Sequence, residues 1–360
     1  MKEILVCNAV PIYEEAPVSL LLLKEKQEQI LSLLQENEKE TCYLIVPNSL
    51  SDIKVSSKVT LIRAKQDFGF TYGNHSALLK VVEGEKAIPY EANELEKAKQ
   101  VVSVEELLGE QTKKVFITGN ANISGVFEFT KQITPRKILD ACKSKEKFKG
   151  MYFGHPMGLL IDESKLDEEI LLTTDYIEIL DETNCVLHFL LKTAERFSRE
   201  SCGRCVFGHE GITQICMILT DITLKKGKQA DLDLLIELCD RMKEQSLCEI
   251  GVTIAKVVSR AISYFRNEIE EHITKKSCKA GVCAKYVTFH ILPDLCTGCM
   301  ECADECEEDA ILGKKKFIHV IEQEECSQCG VCLDACDEHA IVKAGAVKPR
   351  CPKKPIPCKK

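Results

Sequence analysis

The sequence predicts a multidomain α+β protein with its metal chemistry in the C-terminal half. Three observations carry that expectation. Seventeen of the 21 cysteines lie from Cys202 onward, more thiol than a reducing compartment uses for packing. Residues 184–273 place apolar side chains at helical spacing. A cysteine motif then occurs twice, its copies beginning at Cys296 and Cys326, which marks an internal duplication.

At 360 residues and 40.4 kDa the chain is long enough for two or three domains. The longest aliphatic run, Leu20 to Leu23, stops at Lys24, too soon to span a membrane. The N-terminus has neither the apolar core nor the small-residue cleavage site of a signal peptide, so a cytoplasmic location is expected, where thiols stay reduced and bind metal rather than pair. The net charge of −8 conceals a sharper pattern. Between Asp294 and Ala340 there are 13 Asp and Glu against three Lys, whereas Ile341 to Lys360 carries seven Lys and Arg and no acid. The acidic block argues against nucleic acid and reads either as a solvated face or as a docking face for a basic redox partner.

The copies CTGCMECADEC (Cys296, Cys299, Cys302, Cys306) and CSQCGVCLDAC (Cys326, Cys329, Cys332, Cys336) share the spacing C-x2-C-x2-C-x3-C, and each is followed by Ala-Ile. Three thiolates on such a tight loop serve one cubane, while the fourth cysteine serves the other half. One [4Fe–4S] cluster is therefore expected on Cys296, Cys299, Cys302 and Cys336, and a second on Cys326, Cys329, Cys332 and Cys306. Zinc knuckles are the weaker alternative. The segment resembles bacterial two-cluster ferredoxins, except that the proline usual after the fourth cysteine is Glu307 or Asp337. Added negative charge there disfavours the reduced state and points to low potentials.

Upstream, ITQICMILTDI, DLDLLIELCDRM and VTIAKVVSRAISYFRNEIEEHI read as amphipathic helices, with a break at Lys225-Lys226-Gly227. Cys216 and Cys239 fall on apolar stripes and are assigned to the core. Cys202, Cys205 and Cys248 fall at helix boundaries, where a loop can turn sulfur toward a common point. His272, Cys278 and Cys283 form a possible zinc set whose fourth ligand is unidentified, Cys351 or Cys358 in the tail being able to serve; the alternative is ordinary thiols at a domain junction. Cys7, Cys42, Cys142 and Cys185 have no spacing partners and are read as core or surface thiols.

The run ESCGRCVFGHEG, followed by SLCEIG, resembles the cluster-bearing helical domain of the NADH-oxidising flavoprotein subunit of respiratory complex I and the related beta subunits of electron-bifurcating hydrogenases. Their motif is S-C-G-x-C-x-P-C-R-x-G, then S-x-C-x-x-G. Cys202, Cys205 and Cys248 match three of its four cluster ligands, and Gly208 stands where the other thiolate should be, with His209 beside it. The resemblance thus implies a third site on Cys202, Cys205, Cys248 and His209. It could hold a histidine-ligated [4Fe–4S] cluster, tetrahedral zinc, or a three-cysteine cluster with an open iron, or it could be free thiols. SCKAGVC (Ser277 to Cys283) and the ferredoxin-like repeat match the order of the hydrogenase-type subunits.

Toward the N-terminus the resemblance is carried by ILVCNA, YGNHSALLKVVEG, VVSVEEL, KKVFITGNANISGVFEFTKQITPRKIL and YIEILDETNCV. It implies a reduced flavoprotein-subunit-like α/β domain over 1–100 and a β-grasp domain over 101–185. A four-helix cluster domain over 186–275, a connector over 276–292, a two-cluster ferredoxin-like domain over 293–345 and a basic tail over 346–360 complete the order. What is missing matters as much. The flavin loop G-R-G-G-x-G-F-P of these subunits has no counterpart, Asn74 and His75 replace paired glutamates, Val10 and Pro11 replace acidic residues, and Ser103 and Glu106 stand in an asparagine-rich motif. Without a phosphate cradle, FMN and NADH are not expected to bind. GMYFGHPMG (Gly150 to Gly158) stands near another glycine segment of these subunits and is the only residual candidate for such a site, with a solvent-exposed turn the preferred reading.

The function this implies is single-electron relay between a flavin- or cluster-bearing partner and another redox protein. The partners would be flavoprotein, hydrogenase or dehydrogenase-like subunits, or ferredoxin, with no nucleic acid. No catalytic base or nucleophile stands out. The alternatives are an NADH- or flavin-dependent subunit with a remodelled N-terminal site, and a structural or redox-sensing iron–sulfur subunit.

Overall fold

The computed structural model describes residues 4–39, 41–51, 53–91, 99–345 and 348–358; of the expected basic tail 346–360, residues 348–358 are thus described. The chain divides into two compact units. The first comprises Met1–Glu182, Lys192–Cys216 and Asp233–Tyr264, and the second Thr183–Leu191, Met217–Leu232 and Phe265–Lys360.

The first unit opens on a parallel sheet of β1 (Ile4–Asn8), β2 (Thr41–Val46), β3 (Val59–Arg63) and β4 (Gln100–Ser103), in the order β3-β2-β1-β4. Period-two alternation in β1 sends its side chains to two cores. Leu5 and Cys7 pack with Leu22, Leu23, Ile30 and Leu34 of the helices Val18–Glu25 and Gln27–Glu36, while Val6 packs with Tyr72, Leu78 and Leu79 on the other face. Covering both faces is what an apolar parallel strand requires. Chain order reverses between β1 and β4, which puts the topological switch point at their C-terminal ends. Strand β4 crosses the boundary expected at residue 100. The helix Val104–Leu107 after it begins with a capping box, Ser103 Oγ accepting from Glu106 N and the Glu106 carboxylate from Ser103 N. Here Ser103 and Glu106 serve local structure.

A mixed sheet follows, built from β5 (Thr112–Gly119), β6 (Gly125–Thr130), β8 (Phe148–Phe153), β9 (Leu159–Ile161) and β11 (Tyr176–Asp181) in the order β6-β5-β11-β8-β9. Strands β7 (Gln132–Ile133) and β10 (Ile170–Leu171) form a small separate ribbon. The helix Pro135–Cys142 packs Ile138 and Cys142 against Val115, Ile117, Met151 and Ile177 of the large sheet. The segment Gly150–Gly158 is not the exposed turn its glycines suggest. Met151 to Phe153 are buried in β8, and His155 is 1% exposed, stacked on Phe70 at 4.9 Å with Nδ1 3.2 Å from Thr253 Oγ1.

Four long helices run over Val186–Glu200, Gly211–Thr223, Ala230–Gln245 and Glu249–Thr274. The break expected at Lys225 to Gly227 falls between the second and third. Cys239 is buried, as its place on an apolar stripe requires, whereas Cys216 is only half-buried. Among the described residues no helix is long and apolar enough to cross a membrane.

In the second unit, β12 (Thr288–Ile291) pairs with β16 (Ile341–Ala344), β13 (Ile311–Leu312) with β15 (Val320–Ile321), and β14 (Phe317–Ile318) with β17 (Ile356–Pro357), all antiparallel. The duplication is visible in the backbone. A left-handed residue, Met300 (φ 90°) or Gly330 (φ 89°), precedes the short helices Glu301–Asp304 and Val331–Asp334. Ile311 and Ile341, from the two Ala-Ile pairs, share one core with Phe289, Ile321, Cys302, Cys332 and Cys336.

Candidate metal centres

The ferredoxin-like thiols are grouped across the repeat. Burial pushes the Cys302 thiol up to about 12, and the neighbouring thiols that add to the shift are Cys296, Cys299, Cys336 and Cys332 in that order. Cys332, pushed up to about 11 by burial, has Cys326, Cys329 and Cys306 as its thiol neighbours. Cys306, Cys326, Cys329 and Cys332 also line one pocket with Phe289, Ile311 and Ile321. The last cysteine of each motif therefore lies with the first three of the other. Thiols raised this far are neutral at pH 7 unless a bound cation holds them as thiolates.

Cys202 and Cys205 precede a π-type turn, Val206–Glu210, and Cys248 precedes the helix Glu249–Thr274. Burial raises the Cys248 thiol, the backbone N–H groups of Ile250 and Gly251 donate to it, and the charges of Cys202 and Cys205 act on it. Gly208 is tightly placed. A Cβ there would collide with Cys205 Sγ, and a Cβ on Gly251 would sit 2.8 Å from Gly208 Cα. The His209 backbone N–H donates to Cys205 O at 2.8 Å, and its Nδ1 lies 3.0 Å from Ser201 Oγ. That contact engages Nδ1.

The third set is the tightest. Cys185, His272, Cys278 and Cys283 are all buried, and their four donor atoms lie within 4.8 Å of one another. Cys185 Sγ is 3.3 Å from His272 Nε2 and 3.5 Å from Cys283 Sγ, and Cys283 Sγ is 3.8 Å from His272 Nε2. A tetrahedron with metal–sulfur bonds of about 2.3 Å has edges of about 3.8 Å. His272 Nδ1 is 2.8 Å from Glu268 O, which directs Nε2 inward. The Tyr286 ring meets the imidazole edge-on at 5.0 Å. Burial opposes charge on His272, yet the sulfurs of Cys185 and Cys278 bring its pKa up to about 10. Hydrogen bonds from Cys185 and Cys283 hold the Cys278 thiol well below its usual range. Three sulfurs and one imidazole nitrogen converging in a buried site are a donor set suited to a divalent metal.

Two expectations are corrected here. The fourth member is Cys185 and not Cys351 or Cys358. Strand β17 commits the tail elsewhere, with Cys358 N donating to Lys316 O at 3.0 Å. Cys185 had a legible signal, since it stands immediately before the helix Val186–Glu200, the criterion applied to Cys202, Cys205 and Cys248. Among the described residues no other group of three or more His, Cys, Asp or Glu donors is this compact. The ferredoxin-like thiols and the Cys202 set do not form a group this compact.

These centres define an iron–sulfur protein. Residues 188–272 match the NADH-ubiquinone oxidoreductase-F iron–sulfur binding region and residues 289–312 the 4Fe-4S binding domain. The chain is a relative of the F-type subunits of NADH-quinone oxidoreductases and of hydrogenase subunits. It is 29% identical to the NADP-reducing hydrogenase subunit HndC of Solidesulfovibrio fructosivorans over 58% of this chain and 45% of the relative. It is 31% identical to the F-type subunit of the NADH-quinone oxidoreductase of Streptomyces coelicolor over 45% of this chain and 39% of the relative. The matches thus span less than half the length of these two relatives. In fold it resembles an NAD+-reducing [NiFe]-hydrogenase crystallised in the H2-reduced state, with a TM-score of 0.65 and 18% identity over 76% of this chain and 57% of that one.

Proposed function

We propose that the protein is an iron–sulfur electron-relay subunit of a cytoplasmic oxidoreductase complex. The observation that carries this is the crossed grouping of eight thiols, the donor arrangement two cubanes require. Cys296, Cys299, Cys302 and Cys336 would hold one [4Fe–4S] cluster, and Cys326, Cys329, Cys332 and Cys306 the other. Cys202, Cys205 and Cys248, with His209 Nε2, would hold a third. Cys185, His272, Cys278 and Cys283 would hold zinc in a closed site with four protein ligands, the structural type. When bound, the clusters supply single-electron transfer and the zinc a crosslink.

The chain's own part is placement and charge. The exposed acids Glu305, Glu307, Glu308 and Asp309 surround Cys306 in sequence, and Cys329 is exposed. This acidic edge suits a basic redox partner such as a flavoprotein, hydrogenase or dehydrogenase-like subunit, or the basic face of a ferredoxin.

One observation favours a second reading, a remodelled small-molecule site. A cavity of about 450 Å³ lies at the switch point, lined by Asn8, Val10, Ser103, Glu105 and Lys113 among others. His75 and Lys131 also line it, but its more deeply buried polar groups are already engaged. Lys113 is held by both Glu105 and Asp175, and Asn8 is bonded internally to Val10 and to Tyr72 O. Chemically reduced protein should therefore pass electrons to an oxidised two-cluster ferredoxin, while NADH alone should leave the clusters oxidised and calorimetry should show no FMN binding. Bleaching by NADH or micromolar FMN binding would favour the second reading.

A further inference from the structure

His319 is a buried imidazole that none of the proposed metal sets uses. It is 1% exposed and sits between two anchored strands, β14 paired with β17 and β15 paired with β13. Its Nδ1 lies 3.8 Å from Cys296 Sγ and its Nε2 3.1 Å from Met300 Sδ. Two features of the chain make room for this arrangement. A Cβ on Gly313 would collide with the imidazole ring, so that position must be glycine. Met300 adopts φ 90°, a left-handed conformation uncommon for a residue with a side chain, where the second copy of the motif has Gly330 at φ 89°. The first copy thus carries a side chain, in an unfavourable backbone state, that meets the far nitrogen of the ring.

A neutral imidazole has one N–H to give, and a thiolate is a stronger acceptor than a thioether. With a thiolate at Cys296, that preference favours the proton on Nδ1, although Nε2 has the shorter contact to sulfur. We propose that His319 is a positioning residue that donates a hydrogen bond to the Cys296 thiolate and makes the cluster on Cys296, Cys299, Cys302 and Cys336 the more oxidising of the two. Hydrogen bonds to cluster sulfurs stabilise the more negative, reduced state. The consequence is a direction. An electron entering at the Cys326 cluster moves downhill toward the Cys296 cluster.

The inference rests on the assignment of iron to these thiols, and its test separates the two. Wild type, His319→Leu, His319→Gln and Met300→Leu are loaded anaerobically, assayed for iron, and titrated with EPR detection of each cluster. In His319→Leu one midpoint should fall, corresponding to about tenfold in the reduction equilibrium for one charge-assisted hydrogen bond, while the other stays unchanged. His319→Gln, which keeps an N–H, should recover part of the shift, and Met300→Leu should change little. Absence of iron from the wild-type domain would remove the assignment itself. Normal iron content with unmoved midpoints in His319→Leu would overturn the inference. Should the leucine variant fail to load, a smaller fall confined to the midpoint of the Cys296 cluster in His319→Gln would support the hydrogen bond, and midpoints unchanged from wild type would overturn it. A fall of both midpoints there would contradict it.

Discussion

Cys185 Sγ lies 3.3 Å from His272 Nε2, across 87 residues of sequence. With Cys278 and Cys283 they make a closed, buried donor set, so one zinc per chain is expected beyond the iron. Cys185→Ser should lose that zinc and destabilise the second unit by on the order of 3 kcal/mol or more, while Cys351→Ser and Cys358→Ser keep the metal. Elemental analysis with chemical denaturation checks this, and retention of zinc by Cys185→Ser would remove Cys185 from the set.

His209 provides the second test. If Nε2 holds a corner of a cluster, its neutral imidazole leaves that cluster less electron-rich than an all-thiolate one and raises its potential above the two C-terminal clusters. His209→Ala should lose one EPR signal and about four irons. Gly208→Cys should lower that midpoint, provided the Cys205 side chain turns away from the new Cβ. Identical spectra and iron content in all three proteins would rule out histidine ligation.

The cysteine chemistry was legible where it is local. The repeat at Cys296 and Cys326 encodes its geometry within eleven residues, and the helical period located the helices with the break near Lys225. Contacts made across the fold left at most a position at a helix boundary, as for Cys185, and no partner spacing. Cys185 has its partners 87 and 98 residues away, and no spacing rule reaches that far. The glycines of Gly150–Gly158 suggested exposure because the rings that bury His155, Phe70 and Phe197, are remote in sequence. Ser103 and Glu106 looked like losses from a nucleotide site, and only the capping box shows their local use.

Lys113 ties Glu105 to Asp175 beneath the N-terminal cavity, and all three side chains are nearly buried. Lys113→Met would leave two buried carboxylates without their cation, a loss of about 3–5 kcal/mol. Urea denaturation followed in the first unit measures it. A change below about 1 kcal/mol would show that water already screens the group.

Burial pushes the His155 pKa down to about 3. Below about pH 6.5 the unfolded chain binds a proton that the folded chain refuses, so stability falls with decreasing pH through the window from about 6.5 to 3. The slope approaches about 1.4 kcal/mol per pH unit. His155→Gln should flatten the stability profile in that window relative to wild type. Parallel profiles for the two proteins would contradict the assignment.

The crossed thiol sets are tested most directly by iron and labile sulfide in anaerobically purified, fully loaded protein, together with the double variant Cys306→Ser/Cys336→Ser. Two crossed cubanes predict about eight irons from the C-terminal repeat, and about twelve with the upstream site filled. Because each substitution removes one ligand from a different cluster, the double variant should perturb both ferredoxin-type EPR signals, whereas Cys306→Ser alone should perturb only the signal of the Cys326 cluster. No more than about four irons in the loaded wild type, or loss of the Cys296 cluster's signal in Cys306→Ser, would contradict the crossed arrangement.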